Sequence, residues 1–165
     1  MSFDVKDIGL EERKKINNFI LKRWLSLRMI LRGKIVDLKN IDGFYIEDKN
    51  NIIAVITYRI VGFSLEIISL DSVYENKGIG SLLINKIKAF ANECNLKNII
   101  VITTNDNLRA LGFDQKKGFI LNKVFFDSIR QARKLKPEIP IKNKNGILIR
   151  DEIELKCSRC NDFIR

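Results

Sequence analysis

A chain of 165 residues, 45% hydrophobic and 30% charged, has the size and make-up of one globular domain. No apolar run nears the ~20 residues that span a bilayer, and "MSFDVKDIGLEERKK" has no apolar signal core, so a cytoplasmic protein with no membrane partner is expected. A net charge of +10 admits a polyanionic partner, but the lysines are scattered and not interleaved with aromatics, so no nucleic acid is expected.

The chain opens on a stretch, residues 9 to 33, that reads as helical, with Ile16, Phe19, Ile20, Arg23, Trp24 and Leu27 at three- and four-residue spacing. A break near Trp24 would divide it, and Gly33 would stop it. Phe19 and Trp24 read first as core of this helix and second as a wall over a substrate cleft. Next, "GFYIED" (43 to 48) and "NIIAVITYRI" (51 to 60) flank "KN" as a tight hairpin, and "FSLEIISLD" (63 to 71) follows a second short turn. This is an antiparallel meander. From Ile79, apolar positions 82, 83, 87, 90, 91 and 94 line one helical face. "NIIVITTN" (98 to 105) reads as a fully buried strand. "NLRALGFDQKKG" (107 to 118) reads as a capped helix closed by Gly118. "FILNKVFF" (119 to 126) is a strand, "DSIRQARKLK" a helix with a basic face ended by Pro137, and "RDEIELKC" (150 to 157) the last strand. The elements give an α/β (α+β) fold: one domain over residues 1–156, a mixed and mostly antiparallel sheet with helices on its faces, then a tail over 157–165.

Three cysteines, Cys94, Cys157 and Cys160, do not make a disulfide framework, and "CSRC" supplies too few ligands for zinc in a chain without His. No metal is expected.

The stretch "SVYENKGIGS" joins the meander to a helix. The first four N–H groups of a helix have no partner within it, and the macrodipole adds positive character there. Gly78 and Gly80 present bare backbone at this point and Lys77 adds charge, which makes an anion site suited to a phosphate or pyrophosphate. A nucleotide P-loop motif is absent, and the dinucleotide fingerprint is broken at Leu83.

"ENKGIGSLLI" resembles the acyl-CoA signature Q/R-x-x-G-x-G/A of the GNAT superfamily of N-acetyltransferases. "NLRALGFDQKKGF" resembles the second motif of that superfamily, and the "TTNDN" run resembles one bacterial subgroup of it. The resemblance covers residues 43 to 156. It implies a splayed strand pair, with acetyl-CoA as cosubstrate. The pantetheine arm would meet the backbone of Leu70 and Ser72, and the pyrophosphate the amides of Glu75, Asn76, Lys77, Gly78, Ile79, Gly80 and Ser81. Asn107 falls on a further cofactor-contacting position. Glu75 departs from the usual Gln or Arg, which sets a carboxylate near a diphosphate, and Asp114 replaces the usual Tyr acid. An Asp can donate a proton only if burial raises its pKa.

The implied reaction is acetyl transfer to a primary amine of a small molecule or peptide, by direct attack in a ternary complex. No His activates a Cys, so no covalent enzyme intermediate is expected. Glu66 is the expected base: it is a lone carboxylate in an apolar strand, on one face with Ser64 and Ile68, while alternation puts Asp71 on the other. The Leu70 N–H is the natural donor to the carbonyl oxygen, and Tyr74 is a second candidate proton donor. A non-catalytic acyl-CoA-binding sensor or accessory module is the alternative, favoured by Asp114. Dimers are common in the superfamily, which leaves a homodimer open.

Overall fold

A computed structural model describes residues 3–158. Seven strands form one sheet in the order β1-β4-β5-β6-β7-β9-β8, and β2 and β3 form a separate ribbon. The strands are β1 (Lys6–Asp7), β2 (Arg28–Leu31), β3 (Lys34–Asp37), β4 (Asp42–Asp48), β5 (Asn51–Val61), β6 (Ser64–Ser72), β7 (Asn98–Thr104), β8 (Ile120–Phe125) and β9 (Glu152–Ser158). The helices are α1 (Arg13–Trp24), α2 (Ile79–Glu93), α3 (Leu108–Lys116) and α4 (Ser128–Leu135). Only β6 and β7 pair in parallel, because the α2 crossover carries the chain between them. This is the mixed sheet with helices on both faces that the sequence predicts.

The expected helix over 9 to 33 is corrected. It stops at Trp24, where Leu25 turns left-handed (φ 57°) and its N–H bonds the Leu21 carbonyl at 2.9 Å. The rest forms the β2–β3 hairpin, turning on Arg32 (φ 49°) and Gly33 (φ 72°). Two successive positive φ values suit the right-handed twist of a two-residue hairpin loop. The Lys49–Asn50 turn has the same geometry, with φ of 47° and 65°.

Two apolar layers flank the sheet. On one face α2 buries Leu83, Ile84 and Ile87 against Phe44, Ile56 and Leu65. On the other, α1 and the hairpin bury Ile16, Ile20, Leu31 and Val36 against Tyr45, Val55 and Ile68. Strand β9 reaches Ser158 and takes Cys157 into the α2-side core; Cys160 lies outside the described residues. No helix among the described residues is long and apolar enough to cross a membrane.

Three features position the site. First, the β6–β7 ladder ends at Ile67↔Val101, although β6 runs on to Ser72 and β7 to Thr104. The strands part beyond that point. Strand β7 is therefore only half-buried, with Ile99 and Ile102 covered and its neighbours partly open, against the expectation of full burial. Second, the β5–β6 register shifts so that Thr57 pairs with Ser69 and Tyr58 with Ile67, a bulge at Ile68. Third, the basic face of α4 is not all solvated: Arg133 donates to the carbonyls of Ile139 (3.1 Å), Pro140 (2.7 Å) and Ile149 (2.7 Å), which folds the 136–149 loop against α4.

Candidate active site

The gap between β6 and β7 opens into a cleft of about 1060 Å³. One end is lined by the 74–81 loop and α3, the other by β2, α4 and the start of β9.

At the loop end, Gly78 precedes α2 at φ 76°, and no side chain caps the helix. The Leu82 N–H already reaches the Gly78 carbonyl at 3.1 Å, which leaves the first-turn amides of Ile79, Gly80 and Ser81 without a partner in the helix, and all three residues line the cleft. Gly78 needs its left-handed backbone, as does Asn76 (φ 57°) before it. Gly80 has a second reason to be bare: a Cβ there would stand 3.3 Å from the Phe113 ring on α3. The predicted loop residues Glu75 to Ser81 all line the cleft, with Tyr74 beside them. Replacing Gly78 by Ala is expected to cost about 1 kcal/mol of stability through its positive φ. It should also weaken CoA binding by calorimetry, and unchanged affinity would locate the diphosphate elsewhere.

Glu75 does not face an anion unopposed. Its carboxylate is ion-paired with Arg109 of α3, both side chains being exposed. The departure from Gln or Arg at the first motif position is thus offset by a cation the sequence reading missed. An ion pair across the loop and α3 leaves no isolated negative charge at this rim.

Along the gap, the Val73 N–H bonds the Ile53 carbonyl of β5 at 2.8 Å. Backbone groups alternate sides along a strand, so those of Leu70 and Ser72 turn away from β5 and into the opening. The Ser72 carbonyl also accepts from Arg23 Nη2 at 3.2 Å. Asn107 caps α3, its Oδ1 accepting the Ala110 N–H at 3.2 Å.

Asp114 lies on α3, 4% exposed, on the cleft wall. Burial raises its pKa to about 6. That is the direction an Asp needs to act as a donor, and it leaves a protonated fraction that grows as pH falls toward 6. Tyr74, about half exposed, sits on the loop at the rim.

The structure separates Glu66 from these groups. Its carboxylate is 3% exposed and held between two guanidiniums: Arg59 Nε donates at 2.6 Å, and Arg32 forms an ion pair on the other side. It does not line the cleft, and both its oxygens are engaged by arginines. The bulge at Ile68 also overturns the strict alternation. Asp71 turns to the α1 side, where Arg23 grips it at 2.8 and 3.0 Å, and it lines the cleft as Glu66 does not. Of the two aromatics on α1, Trp24 lines the cleft and Phe19 packs in the core.

A further lining residue is not among those the sequence singles out. Glu152, at the start of β9, is 2% exposed, and both its oxygens take the Arg32 N–H, at 3.1 and 3.0 Å. The signal was present: "RDEIELKC" puts Glu152 and Glu154 on one strand face, an unusual pair for a buried strand.

The residues present fit coenzyme A: a gap with free main-chain groups, then an uncapped helix start behind a left-handed glycine. Residues 14–119 match the model of the Acetyltransferase (GNAT) family. The chain is 45% identical over 141 residues to the YxbD protein of Bacillus subtilis, covering 85% of this chain and 89% of that one. It is 44% identical over 139 residues to YdhI of the same organism, covering 84% and 87%. Among solved structures, an IAA acetyltransferase from Bacillus cereus superposes with a TM-score of 0.72 at 20% identity, covering 95% of this chain and 99% of that one. A GNAT acetyltransferase from Elizabethkingia anophelis with acetyl-CoA bound gives 0.66 at 17%, covering 94% and 97%. The splayed strands, the glycine loop and these matches agree, and the chain belongs to the GNAT family of acetyltransferases.

Proposed function

We propose that the protein is an acetyl-CoA-dependent N-acetyltransferase acting on a primary amine of a small molecule or peptide by direct transfer in a ternary complex. The observation that carries this is the gap beyond Ile67 and Val101, which leads from the α2 amides to a second, acidic end of the same cleft. Acetyl-CoA, when bound, supplies an acetyl group already activated as a thioester. The chain's own part is positioning and proton handling. The amides from Glu75 to Ser81, with Lys77 at the rim, hold the diphosphate. The backbone of Leu70 and Ser72 aligns the pantetheine arm by strand addition. The Leu70 N–H points where an acyl oxygen would gain charge. Asn107 braces the start of α3 beside the arm.

Asp114 is the proton donor in this scheme. It occupies the position where the family motif has Tyr, and burial keeps its proton to about pH 6. Tyr74 is the alternative donor, more exposed and placed on the loop, where its carbonyl accepts from the Ser72 hydroxyl at 3.0 Å. Glu66 is given no proton-transfer role here; its two arginines make it the anchor of the hairpin.

The test is a thiol-release assay with acetyl-CoA and a panel of amines. Release of free thiol that depends on the amine is expected. Binding of acetyl-CoA without release on any amine would leave the non-catalytic acyl-CoA module standing. No binding at all would remove both.

A further inference from the structure

Four carboxylates line the cleft: Asp71, Glu75, Asp114 and Glu152. Arg23 neutralises Asp71 and Arg109 neutralises Glu75. Asp114, on α3, answers its burial with a pKa raised to about 6. Glu152 is left. Among the described residues it forms no ion pair with any Lys or Arg side chain. Its oxygens share one N–H, that of Arg32, while the Arg32 guanidinium is directed away to Glu66 and Glu154. Burying a carboxylate without a counter-charge is costly, and one backbone N–H offsets only part of that cost.

The surroundings say what would complete it. Met29 and Leu31 of the hairpin stand on one side of this end of the cleft, Ile129 and Ala132 of α4 on another, with Ile139 of the following loop. These walls are apolar; on the sheet side Thr104 of β7 stands opposite Glu152, with its hydroxyl donated to Asp106 at 2.6 Å. Arg28 on β2 and Lys136 after α4 also line the cleft, but both keep contact with water, which screens them. Among the described residues, Glu152 is the buried carboxylate at this end of the cleft that no side-chain cation pairs.

We infer that Glu152 is the acceptor-recognition residue: it pairs with the ammonium group of the incoming amine, which gives one proton to solvent in the open cleft before its nitrogen attacks, and the remaining apolar body packs between the β2–β3 hairpin and α4. The inference rests on the N-acetyltransferase reading and narrows its acceptor to compact monoamines with an alkyl or aryl arm. A hydroxyl analogue of the same shape would leave the carboxylate unpaired and be rejected.

The experiment compares the parent protein with Glu152→Gln, which keeps the shape and an acceptor oxygen for the Arg32 N–H. The probes are monoamines from butylamine to 2-phenylethylamine, with 2-phenylethanol as the neutral control. Binding is read by calorimetry in the presence of CoA, and turnover by thiol release. The parent is expected to bind at least one of the amines and not the alcohol. The variant should bind acetyl-CoA as the parent does but lose about 100-fold in kcat/KM for that amine, mainly through KM. Three results would overturn the inference: an unchanged kcat/KM in the variant, equal binding of the alcohol, or no binding of any probe to a parent that binds acetyl-CoA. In the first and third of these, acetyl-CoA binding and thiol release with other amines would show whether the N-acetyltransferase reading survives alone. A Tm of the variant within a few degrees of the parent confirms that the comparison is between folded proteins.

Discussion

Replacing Asp114 by Asn is expected to lower kcat on an amine acceptor about 100-fold, the usual effect of removing a positioned acid, while making the protein more stable above pH 7. The two effects share one cause. The folded carboxyl has a pKa of about 6 because it is buried, with no cation beside it. In the unfolded chain it returns to about 3.9. Below that value both states are protonated, and the group contributes nothing to the difference. Between about 4 and 6 the folded state keeps a proton that the unfolded state has released, so stability falls as pH rises. Above 6 the penalty is complete. Two pKa units correspond to roughly 2–3 kcal/mol. Asn cannot ionise, so Asp114→Asn should raise Tm by about 5 °C at pH 8 and leave it unchanged near pH 3.5. Thermal melts at the two pH values check the sign. A Tm that does not move at pH 8 would mean that burial does not raise the pKa of this carboxyl, and the donor role would pass to Tyr74.

Glu66→Gln separates two readings of one residue. As the base, Glu66 would set kcat and its pH profile while contributing little to stability. In the structure it is the shared anion of Arg32 and Arg59, 3% exposed. Removing one partner of a buried ion pair leaves the others uncompensated, at about 3–5 kcal/mol when all are buried. The two arginines are each about one-third exposed, so water takes up part of the loss and about 2 kcal/mol is expected. Denaturant melts should show that loss, and kcat well below Tm should keep its pH profile. A hundredfold fall in kcat with an unchanged melt would restore the base role.

The glycine loop, the meander and the two crossover helices are legible in the chain because each rests on local chemistry. Glycine at a positive φ, a two-residue turn and a three-to-four spacing are written within a few residues of one another. What the sequence hides depends on pairing between distant segments. The bulge at Ile68 exists only in the register with β5, and without it alternation sends Asp71 to the wrong face. The β2–β3 hairpin turns on Arg-Gly, not on one of the pairs that announce such a loop, and its stretch carries a passable helical spacing. Glu66 looked alone in an apolar strand because Arg32 is 34 residues away and Arg59 is on the neighbouring strand. Glu152 looked like one more alternating position because its burial is made by elements that arrive from β2 and α4. Asp114 is the intermediate case: its departure from the motif is visible in the sequence, and its raised pKa is not.

The cleft is built from two kinds of material. Its donor end is made largely of main-chain atoms, the amides around Gly78 and the free edge of β6, which most substitutions leave in place. Its acceptor end is made of side chains, Met29, Leu31, Ile129 and Glu152, any of which one codon change can replace. Under the proposed function, selection can therefore retune which acceptor is taken while the acetyl donor stays the same. Arg32 sets the boundary of that freedom: it fastens the hairpin to β6 and β9 together, so residues 29 to 31 can vary only as far as that clasp still closes.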